Sequence, residues 1–225
     1  MGKLIVIDGL DGSGKSTQCD LLFAELQNQG KNVRLVSFPR YDSVGSTFVK
    51  LYLDGALGSH PDDTNAYAAA TFYAIDRYYS FKTEWEEFYN KPDSVVIAAR
   101  YTTANAVHQL SKLDREEWDS FLSWLFDFEY EKLGIPKPDL VLFLEMKPEI
   151  SLDLIRRRNE ETGAHSDIHE RDVEYLNLCY KAALYSADKM GWEHIKCYDG
   201  KDPLTIDDIQ SAIMEKVVKL LDVTE

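Results

Sequence analysis

The segment from residue 9 to residue 16 constrains this chain more than any other. It reads Gly-Leu-Asp-Gly-Ser-Gly-Lys-Ser, a complete GxxxxGK[ST] pattern, and stands between an apolar run and a segment with helical periodicity. Glycines let backbone N–H groups turn inward around phosphate oxygens, and the start of a helix adds a favourable dipole. A glycine-rich turn that arose by chance would not be expected to lie between a strand and a helix in this way. The segment therefore predicts a phosphate-binding loop between a strand and a helix.

The polar residues of this loop have the chemistry that a nucleoside triphosphate requires. Lys15 can reach the β- and γ-phosphates, and the Ser16 hydroxyl can bind Mg²⁺. Asp8 stands at the end of the preceding strand, where a carboxylate can hold a metal-bound water or position a second phosphate. We therefore expect Ser16 and Asp8 at the metal. The residues expected to bind ATP are Gly9, Asp11, Gly12, Ser13, Gly14, Lys15, Ser16 and Thr17.

Apolar runs alternate with helical patterns along the rest of the chain. The predicted strands cover residues 4–7, 33–38, 95–98, 140–144 and 196–198, and the clearest helices cover 15–29, 65–89 and 207–221. Such alternation indicates a parallel sheet with helices on both faces. We expect one α/β domain over residues 1–225, a three-layer P-loop NTPase fold with about five parallel strands. The polar stretch at about 156–170 is expected to form a small lid.

Charge limits the partners of this chain. Its 39 acidic and 25 basic residues give a formal net charge of −14. A long polyanion would be repelled, so the composition argues against broad nucleic-acid binding. A small phosphorylated ligand must instead be held by local cations and backbone amides, so individual arginines carry more information than the total charge.

The cellular setting is also indicated by composition. The three cysteines lie far apart and have no metal-ligand spacing, which favours a reducing compartment. No secretion signal is evident, and no apolar stretch approaches the roughly 18 residues that a membrane span needs. We expect a cytoplasmic protein without membrane contact.

A P-loop alone does not specify a reaction. A GTPase would need a guanine-reading NKxD-like element after a strand, but the nearest match, residues 111–114, follows a helical stretch. A motor-type ATPase would use an apolar strand that ends in an acid, and residues 140–145 have that form. That alternative stays open, although the chain is short for an ATPase domain with a mechanical module.

Several segments, in their order along the chain, resemble the thymidylate kinase family. Residues 7–18 resemble the opening of that family, and residues 138–145 resemble its fourth strand. Between them stand Phe38-Pro39-Arg40, Tyr73-Ala74-Ile75-Asp76-Arg77, and Arg100-Tyr101 with Asn105; Arg156-Arg157-Arg158 begins the lid. The resemblance covers nearly the whole chain.

The resemblance implies a homodimeric enzyme that uses Mg²⁺ and moves the γ-phosphoryl group of ATP to dTMP, giving dTDP. It implies that Arg40 and Arg100 bind the acceptor phosphate. The catalytic set would be Lys15, Arg40, Arg100 and Arg157. The acceptor set would be Asp8, Arg40, Tyr73, Arg77, Arg100, Asn105 and His108, with Tyr73 stacking on the base, Arg77 and Asn105 on its edge and His108 near the sugar.

The chain departs from the family at Ala99. The family typically has an aspartate directly before the arginine of this motif, and loss of one positioned acid–base group often costs about 10²–10⁴ in rate. Two alternatives therefore stay open. One is a kinase for another deoxynucleotide or deoxynucleoside, and the other is a catalytically impaired nucleotide-binding homologue.

Overall fold

A parallel five-stranded sheet forms the centre of the computed structural model, which describes residues 1–58, 60, 63–162 and 173–222. Its strands lie in the order β2-β3-β1-β4-β5. They span β1 Lys3–Gly9, β2 Asn32–Ser37, β3 Ser94–Ala99, β4 Leu140–Glu145 and β5 Glu193–Lys196. The α/β class, the parallel sheet and its strand number are those expected from the sequence.

The fifth strand lies earlier than predicted. The sequence pattern indicated residues 196–198, but the strand is Glu193–Lys196, in register with β4. After Cys197 the chain enters an antiparallel hairpin of β6 Tyr198–Asp199 and β7 Asp202–Pro203. The N–H of Cys197 donates to the carbonyl of Glu145, and its own carbonyl accepts from the N–H of Leu204, so the backbone turns away from the sheet here.

Nine α-helices surround the sheet in the described ranges. They are α1 Lys15–Asn28, α2 Thr47–Leu53, α3 Ala66–Ser80, α4 Glu86–Tyr89, α5 Thr102–Gln109, α6 Trp118–Phe126, α7 Pro148–Thr162, α8 Val173–Met190 and α9 Ile206–Asp222. The helix predicted over 65–89 is interrupted by a π-turn at Phe81–Trp85. A second π-turn, Asp127–Lys132, follows α6.

The strands alternate their side chains between two apolar layers. Ile5, Ile7 and Ala99 pack on one face with residues of α1 and α9. Leu4 and Val6 pack on the opposite face, which α3 to α6 and α8 cover. All residues of β1 from Leu4 to Gly9 are buried, which explains its near-continuous apolar sequence.

The register brings the functional segments to one edge. In parallel pairing, Ile7 of β1 lies opposite Ala99 of β3, so the loop after Gly9 and the turn at Arg100 leave the sheet side by side. In open α/β sheets, ligands bind at the edge formed by the carboxyl ends of the strands, which is where both segments lie.

None of the helices in the described ranges is long and apolar enough to cross a bilayer. The lid expected at about 156–170 is described only to residue 162, within α7, and residues 163–170 lie outside the described part.

Truncating a core residue of α1 tests how this helix is held to the sheet. Leu22 is completely buried, whereas its neighbour Leu21 is 37% exposed. We expect Leu22→Ala to lower the free energy of unfolding by about 2–5 kcal/mol, since it leaves a cavity in the core. Leu21→Ala should change it by no more than about 0.5 kcal/mol. Urea denaturation of both variants measures the difference, and equal losses would contradict this packing.

Candidate nucleotide site

The glycine-rich loop forms a turn around an open space at the start of α1. Gly12 and Gly14 have φ angles of 78° and 88°, the left-handed region that favours glycine. Within the described ranges, the buried Ser13 hydroxyl oxygen has no hydrogen-bond partner, and a Cβ placed on Gly14 would meet nothing within 4 Å. Ser16 is exposed in the first turn of α1. These features match a cradle for an anion at a helix N-terminus.

Lys15 folds back over this loop. Its Nζ donates to the carbonyl oxygens of Gly9 at 2.9 Å and Leu10 at 2.6 Å, and lies 3.8 Å from a carboxylate oxygen of Asp11. Burial and the nearby charge of Arg100 lower the pKa of Lys15 to about 8, although neighbouring carboxylates oppose the change. The ammonium group is therefore held at the phosphate cradle by weak neutral acceptors that a phosphate can replace.

Asp8 lies beneath the loop, completely buried. Its carboxylate accepts hydrogen bonds from the N–H of Gly9 at 2.8 Å and from the hydroxyl of Thr103 in α5. Burial raises the pKa of Asp8, although the charges of Arg100 and Lys15 oppose it. The carboxylate therefore joins the end of β1 to α5. Sequence reasoning missed Thr103, which follows the motif arginine without any distinguishing pattern of its own.

Arg100 occupies a strained position at the end of β3. Its φ of 63° is in the left-handed region, which costs a non-glycine residue roughly 1–2 kcal/mol. Its guanidinium pairs with Asp11 and lies 3.4 Å from Nε2 of His108. Burial alone would raise the pKa of Asp11, but Arg100 and Lys15 outweigh it and hold the pKa well below its ordinary value. The site therefore contains an ionised carboxylate between two cations.

A cleft of about 370 Å³ opens between these groups and α3, α5 and α8. It brings together six of the residues predicted to bind ligands, which are Asp11, Tyr73, Arg77, Arg100, Asn105 and His108. Its other lining residues are Ser37, Phe38, Pro39, Tyr41, Tyr52, Leu53, Tyr101, Ala104, Gln109, Lys112 and Tyr175. The charged groups beside the glycine-rich loop, Asp11 and Arg100, therefore lie at one end of a partly aromatic cavity.

Tyrosines form much of the wall. Tyr73 lies edge-on to Tyr52, with ring centroids 6.5 Å apart, and burial raises the pKa of Tyr73. Tyr175 of α8 stacks near His108 at 6.3 Å, and its hydroxyl lies 3.1 Å from Nδ1 of that histidine. Tyr73 and His108 were predicted ligand contacts. Tyr52 and Tyr175 were not, because no motif surrounds them.

Arg77 is held at the floor of the cleft by an ion pair with Glu129. It is 1% exposed, and its Nε donates to Oε2 of Glu129 at 2.7 Å while its Nη2 contacts Oε1 at 2.5 Å. Burial alone would lower the pKa of Arg77, but the Glu129 carboxylate outweighs this effect and raises it. Asn105 donates to the same carboxylate. Glu129 was not predicted from the sequence.

Two predicted arginines lie outside the cleft lining. The Arg40 guanidinium contacts Asp42 at 3.3 Å and Glu84 at 3.0 Å, and its backbone N–H donates to Asp76 at 2.9 Å. Arg157 is exposed on α7. The structure therefore places Arg40 on the segment that leads from β2 past the cleft, and Arg157 on the helix that packs against Gly12.

Comparison with known proteins identifies the family to which this sequence belongs. The family model for thymidylate kinase matches residues 7–213. The chain belongs to the thymidylate kinase family. A thymidylate kinase from Mycobacterium tuberculosis is 31% identical over 173 residues, which cover 76% of this chain and 79% of that protein. A thymidylate kinase from Danio rerio is 27% identical over 177 residues, covering 78% and 76%.

A solved structure shares the fold. The thymidylate kinase of Candida albicans aligns with a TM-score of 0.71 at 21% identity, over 100% of this chain and 94% of that one. Family membership makes this chain a nucleoside monophosphate kinase, a phosphotransferase that binds nucleotides. The resemblance inferred from the sequence is confirmed.

The two glycines of the loop allow a matched test of its geometry. A Cβ on Gly12 would lie 2.7 Å from the carbonyl oxygen of Ser151 and 2.9 Å from Ile155, whereas Gly14 has open space. Both substitutions cost roughly 1–2 kcal/mol for the left-handed backbone, so we expect Gly12→Ala to destabilise the protein clearly more than Gly14→Ala. Thermal unfolding of both variants measures the difference. Equal losses would show that the contact between loop and α7 contributes little.

Proposed function

We propose that this enzyme transfers the γ-phosphoryl group of ATP to dTMP, giving dTDP, with Mg²⁺. One observation carries the proposal: a single cleft joins the phosphate-binding loop, through Asp11 and Arg100, to a polar floor formed by Arg77 and Asn105. A nucleoside monophosphate has its phosphate and its base at opposite ends. The cleft offers cationic groups at one end and directional hydrogen-bonding groups at the other.

The donor end is supported by the loop. Backbone N–H groups at residues 9–17, the buried Ser13 hydroxyl and Lys15 would surround the phosphates of ATP. These groups act mainly by alignment and by neutralising charge on the phosphoryl group as it moves. Lys15 contributes the cation closest to the loop, and it exchanges two carbonyl contacts for phosphate oxygens.

The residues present fit Mg²⁺ bound together with phosphates. The described ranges contain no cluster of three or more His, Cys, Asp or Glu side chains that could hold a metal. Mg²⁺ does not need one, because it keeps several waters and takes one or two protein ligands beside substrate phosphates. The exposed Ser16 hydroxyl would bind it directly and Asp8 through water. When bound, the ion would neutralise phosphate charge.

The acceptor phosphate would lie against Arg100 and Arg40. Each has a planar guanidinium group that can donate two parallel hydrogen bonds to phosphate oxygens. Arg100 is already oriented by Asp11, at the edge of the sheet where the loop begins. The ion pairs of Arg40 with Asp42 and Glu84 are partly exposed, and such pairs contribute at most about 1 kcal/mol. Arg40 can therefore turn towards a phosphate at small cost.

The base and sugar would occupy the tyrosine-lined part of the cleft. Tyr73 would stack on the pyrimidine, and His108 would lie near the sugar. Closure of a lid over both nucleotides would exclude water that could otherwise hydrolyse ATP. Arg157 lies on α7, the helix whose Ser151 and Ile155 pack against Gly12 of the loop, and we assign it the role of a charge clamp on the phosphates.

Ala99 keeps the alternative of an impaired homologue open. Its methyl group packs in the apolar layer with Ile7 and Cys19, so position 99 contributes no carboxylate to the site. We nevertheless favour turnover, because Arg100, Asp11 and Lys15 form a complete charged set without position 99.

The decisive experiment measures Mg²⁺-dependent ADP release from ATP with dTMP as acceptor. We expect turnover by the natural sequence and a loss of at least about 10² in kcat for Lys15→Met, since this removes the charge closest to the loop. Lys3→Met, far from the cleft, is the control. Efficient use of another monophosphate or nucleoside while dTMP is ignored would contradict the proposal.

An Ala99→Asp version belongs in the same assay. Turnover by both proteins would show that the carboxylate is dispensable. Turnover by the Ala99→Asp version alone would identify Ala99 as a catalytic lesion in an otherwise intact site.

We further propose that the enzyme acts as a cytoplasmic homodimer. Support comes from apolar side chains exposed on α2 and α3, where Phe48 is 48% exposed and Leu51, Ile75, Tyr78 and Tyr79 are each 39% exposed. Phe48 stacks on Phe72 at 5.7 Å, so the two helices form one continuous surface. A second copy of the chain would cover it.

Placing a charge on that surface tests the dimer. We expect Ile75→Glu to convert the protein from dimer to monomer, because a charge buried in an apolar interface lacks a partner. Val218→Glu on α9, at a residue 41% exposed, is the matched control and should leave the mass unchanged. Light scattering after size-exclusion chromatography gives the mass. A monomeric natural sequence would refute the dimer.

A further inference from the structure

Glu129 is a buried carboxylate whose acceptor positions are all occupied. Its Oε2 accepts from Nε of Arg77 at 2.7 Å and from the Thr102 hydroxyl at 2.9 Å. Its Oε1 accepts from Nη2 of Arg77 at 2.5 Å and from Nδ2 of Asn105 at 3.1 Å. A carboxylate has about four acceptor sites. Glu129 therefore has none left for a ligand, and its effect is on the groups that it holds.

The first of these groups is the Asn105 amide. Its Nδ2 donates to Glu129 and also to the carbonyl oxygen of Ala70 at 3.1 Å, so both amide hydrogens are used. The reversed amide would set its carbonyl oxygen against two other acceptors. Within the described residues no hydrogen bond reaches Oδ1. Because Asn105 lines the cleft, it offers a ligand an acceptor.

The second group is the Arg77 guanidinium. Glu129 occupies Nε and Nη2, and no partner of Nη1 occurs in the described part of the chain. Arg77 also lines the cleft, so Nη1 is a donor available to a ligand. The floor of the cleft therefore offers a donor from Arg77 and an acceptor from Asn105. Glu129 holds the guanidinium in place and fixes the amide so that its oxygen faces the ligand.

This pattern distinguishes between pyrimidines. Thymine has a 4-keto acceptor beside an N3–H donor, whereas cytosine has a 4-amino donor beside an N3 acceptor. We infer that Glu129 is a positioning residue that sets pyrimidine selectivity, by holding Arg77 and Asn105 in the orientation that accepts a 4-keto base and rejects a 4-amino base. The inference rests on the proposed function, since it requires a pyrimidine monophosphate as acceptor.

Glu129→Gln tests this role with minimal change in shape. In this variant an NH₂ group replaces one carboxylate oxygen of Glu129 and cannot accept from the donors that meet that oxygen now. The hydrogen-bond pattern that fixes the Asn105 amide would therefore be lost. We expect the ratio of kcat/KM for dTMP to kcat/KM for dCMP to fall roughly 10- to 100-fold. Most of the change should come from a higher KM for dTMP, with the KM for ATP unchanged.

Thr102→Val is the matched control. It removes one hydrogen bond to Glu129 but leaves the contacts of Arg77 and Asn105 in place. We expect it to lower the melting temperature while the dTMP to dCMP ratio stays at the natural value. A ratio that falls as much as in Glu129→Gln would mean that general destabilisation causes the change, and would overturn the inference.

Glu129→Asp covers the case in which Glu129→Gln does not fold. It keeps the charge beside Arg77 but is one methylene shorter, so it cannot hold both partners at once, and we expect roughly a threefold fall in the same ratio. An enzyme that prefers dTMP, and whose folded Glu129 variants keep that preference, overturns this inference alone. A natural sequence that phosphorylates neither dTMP nor dCMP overturns the proposed function and the inference with it.

Discussion

The parallel pairing of β1 with β3 supports every part of the site. Ile7 lies opposite Ala99, so the glycine-rich loop and Arg100 leave the sheet at neighbouring points. The N–H of Arg100 donates to the carbonyl of Ile7 at 3.1 Å, which extends the pairing one residue beyond the strand and holds Arg100 in its left-handed conformation. Its guanidinium thereby reaches Asp11. A slip of one residue would reverse the faces of both strands and separate these groups.

Local pairing of charges allows an acidic protein to recognise a phosphorylated ligand. The net charge of −14 opposes anions at long range, but water and salt screen that field beyond about 10 Å. Inside the cleft, Arg77 is matched by Glu129 and Arg100 by Asp11. The two pairs differ in burial. The Arg77 pair is closed to solvent and acts as fixed structure, whereas Arg100 and Asp11 are each about a quarter exposed and can exchange partners with a phosphate.

Local sequence was enough to predict the loop and the parallel sheet, because these depend on short patterns. Of the six expected residues in the cleft, Asp11 came from the loop pattern and the others from the family resemblance. Gly9 to Ser16 carry their own chemistry, and Arg77, Arg100 and Asn105 stand at fixed offsets from strands or within a helix. The residues that hold these side chains in place could not be predicted from local patterns. Glu129 meets Arg77 across 52 positions, and Thr103 meets Asp8 across 95. Only the folded chain brings such residues together, and a π-turn, which has no simple sequence period, presents Glu129.

The alternation of side chains along β1 and β3 bears on the missing carboxylate at position 99. Because Ile7 and Ala99 are paired, they project from the same face, the one on which α1 packs. Asp8 is the next residue of β1, so it projects from the opposite face, where it meets Thr103 of α5. Asp8 therefore cannot occupy the place of a carboxylate at position 99. On the α1 side of the sheet, the proposed alignment of the phosphates therefore depends on the loop and Lys15, whereas Asp8 acts from the opposite face, where Thr103 of α5 donates to it.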